Sequence, residues 1–175
     1  LPWVFVVAVA AGTTRPVRHW VHGFWPHPAE QSPHPVDSPA ARDAEIIWKQ
    51  AGNPDVRHPV DVVRTIDGDT FEARVHLSPG LDLTTRVRLR GIDAPELKAS
   101  CPQELRMAEA ATVALRGLLD QGEVAIYNIG PDKYQGRVVA AVATRRTPDV
   151  SEALFAGGHV RKYNGGHRDG WCDQR

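Results

Sequence analysis

Four short stretches of this chain concentrate residue types that can act on a phosphate. The first, Ile66-Asp67-Gly68-Asp69-Thr70, puts two carboxylates at a tight turn. The second, Arg88-Leu89-Arg90-Gly91-Ile92-Asp93-Ala94-Pro95-Glu96, carries an arginine, a carboxylate five residues on, and another three further. The third, Asp132-Lys133-Tyr134-Gln135-Gly136-Arg137, is a basic loop that opens a strand, and the fourth is Arg161-Lys162-Tyr163-Asn164-Gly165-Gly166. Hydrolysis of a phosphodiester needs a water that is oriented or deprotonated, and charge neutralisation as the fifth oxygen arrives, part of which a hard cation supplies. Asp69 and Asp93, with a backbone carbonyl nearby, offer an open oxygen-ligand site for Ca²⁺. Glu96 is a third carboxylate, free to hold a water. Arg88 and Arg137 are planar forks that grip phosphate oxygens in pairs, which lysine cannot do. Each stretch alone also has an ordinary reading, as a turn, a helix start, a solvated strand face or a polar loop.

The elements that must position these groups are short. Alternation places strands over residues 60–66, 69–76 and 83–90, with a hairpin-type turn at Asp67-Gly68. Phe71, Ala73 and Val75 share one face of the second strand, and Val87 and Leu89 one face of the third. Arg86, Arg88 and Arg90 share the other face of the third, where three like charges call for solvent, carboxylates or an anionic ligand. Residues 102–119 form the one long helical pattern, with Leu105, Ala108, Ala111 or Thr112, Leu115, and Leu118 or Leu119 on its apolar face and Pro102 in its first turn. Strands follow at 123–129 and 137–144, then a short helix over 149–155 closed by Gly157-Gly158. The expected fold is mainly β with helices (α+β): a five-stranded Greek-key barrel of OB type, with the long helix between strands 3 and 4 and a short C-terminal helix.

The rest of the chain differs. Nine of the 14 prolines, five of the eight histidines and four of the five tryptophans lie at or before residue 59. Residues 12–59 read as an extended linker, with one short helix from an N-cap at Ser38 and Pro39 at N1 through residues 40–49. Residues 1–11 are uncharged and apolar. They are too short to span a bilayer, and they fit the apolar core of a secretory signal or the end of a membrane anchor, with Ala8-Val9-Ala10 resembling a cleavage site. Residues 60–175 are the expected folded domain.

The 21 basic and 21 acidic side chains cancel, which excludes a uniformly basic protein held to nucleic acid by bulk charge but not a local basic cleft. Cys101 and Cys172 would stay free in a reducing compartment. With an export signal, a disulfide is the expected pairing, closing a loop of about 70 residues and contributing roughly 4 kcal/mol by chain entropy. A zinc site with His159 or His167 is the alternative, although the spacings match no zinc pattern.

On IDGDTF, RLRGIDAPE and DKYQGRVVA, with EALFAGGHVRKY as a weaker fourth, residues 60–165 resemble the staphylococcal nuclease (thermonuclease) family. The resemblance implies an OB-type barrel and a Ca²⁺-dependent endonuclease that cuts DNA and RNA and leaves 3′-phosphates. It implies Ca²⁺ ligands at Asp69, Asp93 and the Ala94 carbonyl, with Glu96 holding the attacking water. Arg88 and Arg137 would clamp the scissile phosphate, Lys133 and Tyr134 would contact a neighbouring phosphate, and Tyr163 would stack on the nucleotide. Three departures stand out: Gln135 is an insertion before Gly136-Arg137, Ala94 replaces a threonine, and a glycine-rich tail replaces the long C-terminal helix of the best-known member. The expected partner is nucleic acid, for an exported or membrane-tethered monomer. The competing reading is a catalytically inactive OB module of the cell envelope that binds nucleic acid or protein.

Overall fold

A computed structural model describes residues 38–172. The apolar segment 1–11 and the histidine cluster of the linker lie outside the described residues. The order is α1 (Pro39–Gln50), β1 (His58–Thr65), β2 (Thr70–Ser78), β3 (Leu81–Leu89), β4 (Ile92–Asp93), α2 (Pro102–Leu119), β5 (Ala125–Pro131), β6 (Arg137–Ala143), α3 (Val150–Ala156) and β7 (Arg161–Lys162).

Five strands close into a barrel in the order β1-β2-β3-β6-β5, with β3 and β6 parallel and β5 returning to β1. Closure leaves these short strands without free edges. The expected strands are all present, with ends displaced by one or two residues. Alternation fills the barrel as expected: Phe71, Ala73, Val75 and Val87 are completely buried and Leu89 nearly so, and Ile126, Val138 and Val142 meet them from the far side.

The expected linker helix forms as α1, capped by the Ser38 hydroxyl accepting from Ala41 N–H. It does more than bridge. Ile47 is completely buried and Ala44 nearly so, both within the barrel's core cluster. The packed domain therefore begins before residue 60. The reason is the apolar stripe of α1, which finds an open end of the barrel to cover.

Helix α2 departs from expectation at its first turn. Leu105 is exposed and Glu104 is buried. The Glu104 carboxylate accepts from Ser100 N–H at 2.7 Å and from Glu96 N–H at 3.4 Å. These bonds tie down the loop before the helix and turn the Glu104 side of the first turn inward. Beyond it, Ala108, Ala111, Leu115 and Leu119 are buried as their spacing requires.

A second, two-stranded sheet was not expected. It pairs β4 with β7, setting Ile92 opposite Lys162 and Asp93 opposite Arg161. Its neighbour is the disulfide between Cys101 and Cys172, which draws the glycine-rich tail to the start of α2.

Candidate active site

The floor of the site comes from the β2–β3 register. Thr70 stands opposite Arg88, so the turn carrying Asp69 ends beside that arginine. Arg88 Nη1 donates to Asp69 Oδ1 at 2.7 Å, and both side chains are buried. Asp69 Oδ1 also accepts from Thr70 Oγ1, and its Oδ2 accepts from Ala94 N–H at 3.1 Å. Glycine at 68 lets this turn press against α2 and the Ala94 loop. A Cβ there would sit 2.6 Å from Ala111 Cβ and 2.9 Å from Ala94 Cβ, well inside contact distance. Arg88 Nη2 donates to Ile92 O at 3.2 Å and lies 3.5 Å from Asp93 Oδ1, joining the first two motifs.

The parallel β3–β6 register brings in the third motif. Arg137 pairs with Arg86 and Val139 with Arg88, so Arg137 and Arg88 share a barrel face two residues apart. Arg137 is held by Asp132 through two bonds, Nε at 3.0 Å and Nη2 at 3.2 Å, and by Tyr134, whose ring centroid is 4.8 Å from the guanidinium. Burial alone would raise the Asp132 pKa. The bonds from Arg137 and from Tyr134 N–H overcome that and hold it below the usual carboxylate range. Asp69, Arg88, Ala94, Glu96, Tyr134, Gln135 and Arg137 line one cavity of about 500 Å³. The inserted Gln135 sits in its wall and leaves Arg137 facing the same space. Gly136 takes up the turn at φ +75°, with α1 so close that a Cβ would lie 3.3 Å from Ala40 Cβ.

Residues 86–170 match the family model described as staphylococcal nuclease homologue. That stretch is SNase-like, and the closed barrel it completes is consistent with the family's OB-type fold. No curated protein matches the chain. The matched stretch begins after Asp69, and strand pairing is what delivers that residue to the site.

A second cavity of about 560 Å³ adjoins the first and shares Arg88, Arg137 and Arg168 with it. Lys133 and Tyr163 line this second space, so the candidate substrate-binding residues divide between two neighbouring seats. The Tyr163 hydroxyl donates to Gly166 O at 2.8 Å.

The SNase-like domain carries three site groups that sequence reading left without a role. Asp67 accepts from Asp69 N–H at 3.0 Å. Burial, then the Asp69 charge, push its pKa up to about 6. Glu104 anchors the Glu96 backbone, and Glu at the third helical position after Cys101-Pro102 was the available signal. Arg168 reaches in from the tail. Its Nη1 donates to Glu96 Oε1 at 3.0 Å and its Nε lies 3.0 Å from Asp93 Oδ1. Burial opposes its charge, but Asp93, Asp69 and Glu96 outweigh burial and raise its pKa. Only its place four residues before Cys172 hinted at this.

The donor set suits a hard divalent cation. Asp67, Asp69, Asp93 and Glu96 carry carboxylate oxygens, the donor type Ca²⁺ prefers. Arg88 is paired with Asp69 and Asp93, Arg168 with Asp93 and Glu96, and Arg137 with Asp132. Four carboxylates against two guanidiniums leave two formal negative charges for a cation to neutralise. Among the described residues, the one group of three acids or sulfurs whose ligand atoms already lie within 4.8 Å of one another is Cys101, Glu104 and Cys172, which is no ligand set while the two sulfurs are bonded to each other; the site carboxylates would have to draw together around a cation.

Proposed function

We propose that the SNase-like domain is a Ca²⁺-dependent endonuclease that hydrolyses phosphodiester bonds of DNA or RNA and leaves 3′-phosphates. The observation that carries this reading is the buried 2.7 Å bond between Arg88 and Asp69 at a cavity that Glu96 and Arg137 also line. Asp69 and Asp93 hold the cation, with the Ala94 backbone beside them. When bound, Ca²⁺ supplies positive charge against the phosphate. Glu96 holds the attacking water and takes its proton. Arg88 and Arg137 grip the non-bridging oxygens and stabilise the extra charge of the five-coordinate phosphorus. Arg137 spends Nε and Nη2 on Asp132, which leaves Nη1 to donate. Lys133 and Tyr134 contact a neighbouring phosphate, and Tyr163 offers its ring to a base.

Binding rests on placement, because residues 61–175 hold 16 basic and 16 acidic side chains. A modest affinity and a shallow salt slope follow. The test is plasmid cleavage with Ca²⁺ and with chelator, alongside Asp69→Ala. Metal-dependent cleavage lost in the variant is the expected result. Intact plasmid throughout would leave the alternative, an inactive OB module that binds nucleic acid or protein. That alternative draws on one observation, the Arg168 guanidinium lying across Asp93 and Glu96.

We further propose that the protein works outside the cytosol as a monomer, with residues 1–11 as a signal or membrane tether. The disulfide supports an oxidising compartment. No helix among the described residues is long and apolar enough to cross a membrane. Fractionation of cells carrying the full reading frame, with the protein recovered only from cytosol, would overturn the export reading.

A further inference from the structure

Arg168 sits in a tail that is pinned on both sides of it. Upstream, Tyr163 N–H donates to Gly91 O at 2.8 Å, and Gly165 and Gly166 turn the chain back through positive φ angles of 98° and 94°. Downstream, Arg161 of β7 donates to Gly170 O at 2.9 Å and stacks on the buried Trp171, 3.6 Å from its ring centroid. The next residue, Cys172, is bonded to Cys101. Between these anchors the Arg168 side chain lies in the cleft, with about a third of it still exposed.

There it covers Asp93. Arg168 stands in the walls of both cavities, and Asp93 stands in neither. Only 8 % of the Asp93 side chain is exposed, and its cationic neighbours are Arg88 at 3.5 Å and Arg168 at 3.0 Å. The seat is imperfect. Arg168 Nε is the one buried side-chain polar atom among the described residues without a hydrogen-bond partner, because its approach to Asp93 lacks the alignment of a bond.

We propose that Arg168 is a tethered counter-ion that competes with the divalent cation for Asp93, with its far end on Glu96, and that the Cys101–Cys172 bond keeps it in that position. The inference rests on the metal site proposed above. A divalent cation and a guanidinium repel strongly when they share one buried carboxylate. A cation that takes Asp93 therefore drives Arg168 off. The freed side chain stays at the rim, beside Arg88 and Arg137, where a phosphate can take it up. Arg168 then weakens cation binding when no phosphate is present and links cation binding to phosphate binding, which must strengthen each other equally.

The test is calorimetric titration of the full chain with Ca²⁺, comparing wild type, Arg168→Gln and the Cys101→Ser/Cys172→Ser double variant, with and without a short DNA oligonucleotide whose phosphorothioate backbone resists hydrolysis. A seat filled nine-tenths of the time lowers apparent affinity about tenfold, so Arg168→Gln should bind Ca²⁺ about tenfold more tightly. The double variant should gain in the same direction, and oligonucleotide should tighten Ca²⁺ binding more in wild type than in Arg168→Gln. A merely structural role would weaken binding in both variants. Wild type that binds Ca²⁺, with Arg168→Gln binding no more tightly, overturns the role of Arg168 alone. If Arg168→Gln does not fold, a double variant that binds no more tightly than wild type has the same force. Absence of Ca²⁺ binding in every protein overturns the metal site and this inference with it.

Discussion

Asp69 and Arg88 are 19 residues apart in the chain and meet at 2.7 Å in the barrel wall, joined through the Thr70–Arg88 register pair. A buried pair of this kind loses most when one partner is removed, because the other charge is then left unmatched. Here it also orients the fork. Nη1 is spent on Asp69 and Nη2 on Ile92 O, which fixes the guanidinium plane at the cavity.

Arg88→Lys keeps the charge and removes the fork. Single-turnover cleavage should slow by on the order of a thousandfold, equivalent to about 4 kcal/mol in the transition state. Nearly unchanged cleavage would refute Arg88 as a phosphate clamp.

Glu96→Gln should separate chemistry from metal binding. The amide cannot take a proton from water, so cleavage should fall by about a hundredfold to ten-thousandfold. Ca²⁺ affinity should stay close to that of wild type. A variant that loses the metal and keeps the rate would exchange the roles of Glu96 and Asp69.

Asp67 should leave a signature in the pH dependence of stability. Its folded pKa is about 6, above the ordinary carboxylate value, so between roughly pH 4 and 6 the folded state binds more protons than the unfolded. Its contribution opposes folding above pH 6 and is relieved as pH falls toward 4. Asp67→Asn, which keeps an acceptor for Asp69 N–H, should stabilise the metal-free protein at pH 7 by about 1–3 kcal/mol. Urea midpoints for wild type and variant should converge near pH 4. Curves that stay parallel from pH 4 to pH 7 would count against the shift.

Ile47→Ala tests where the domain begins. A completely buried isoleucine truncated to alanine costs about 2–5 kcal/mol. Urea unfolding of the full chain should show that loss in one transition. A variant as stable as wild type would return α1 to the linker.

The barrel was legible because period-two alternation places one side chain in each pair toward the interior, and Phe71, Ala73, Val75, Val87 and Leu89 follow that rule. The three charged motifs were legible for another reason. Asp67-Gly68-Asp69, Arg88 to Glu96 and Asp132 to Arg137 each hold their groups within a few residues, so spacing alone states their chemistry. Arg86 and Arg88 of β3, with Arg90 just past its end, show where that reasoning stopped. They alternate identically, yet Arg86 is exposed, Arg88 is buried on two carboxylates, and Arg90 donates to Asn128 O and Val139 O. Alternation names a face, and what stands opposite that face is set by the neighbouring strands.

The chain's own order of residues determined the barrel strands, the long helix, the candidate acids and arginines, and the two cysteines available for pairing. Only the tertiary structure decided that α1 completes the core, that Glu104 turns inward to hold the Glu96 loop, and that Arg168 lies across Asp93. Each of these depends on contact between segments far apart in sequence, 72 residues in the case of Arg168 and Glu96. Local patterns record the preferences of neighbouring residues. They carry no record of which distant charge a folded tail brings to a buried carboxylate.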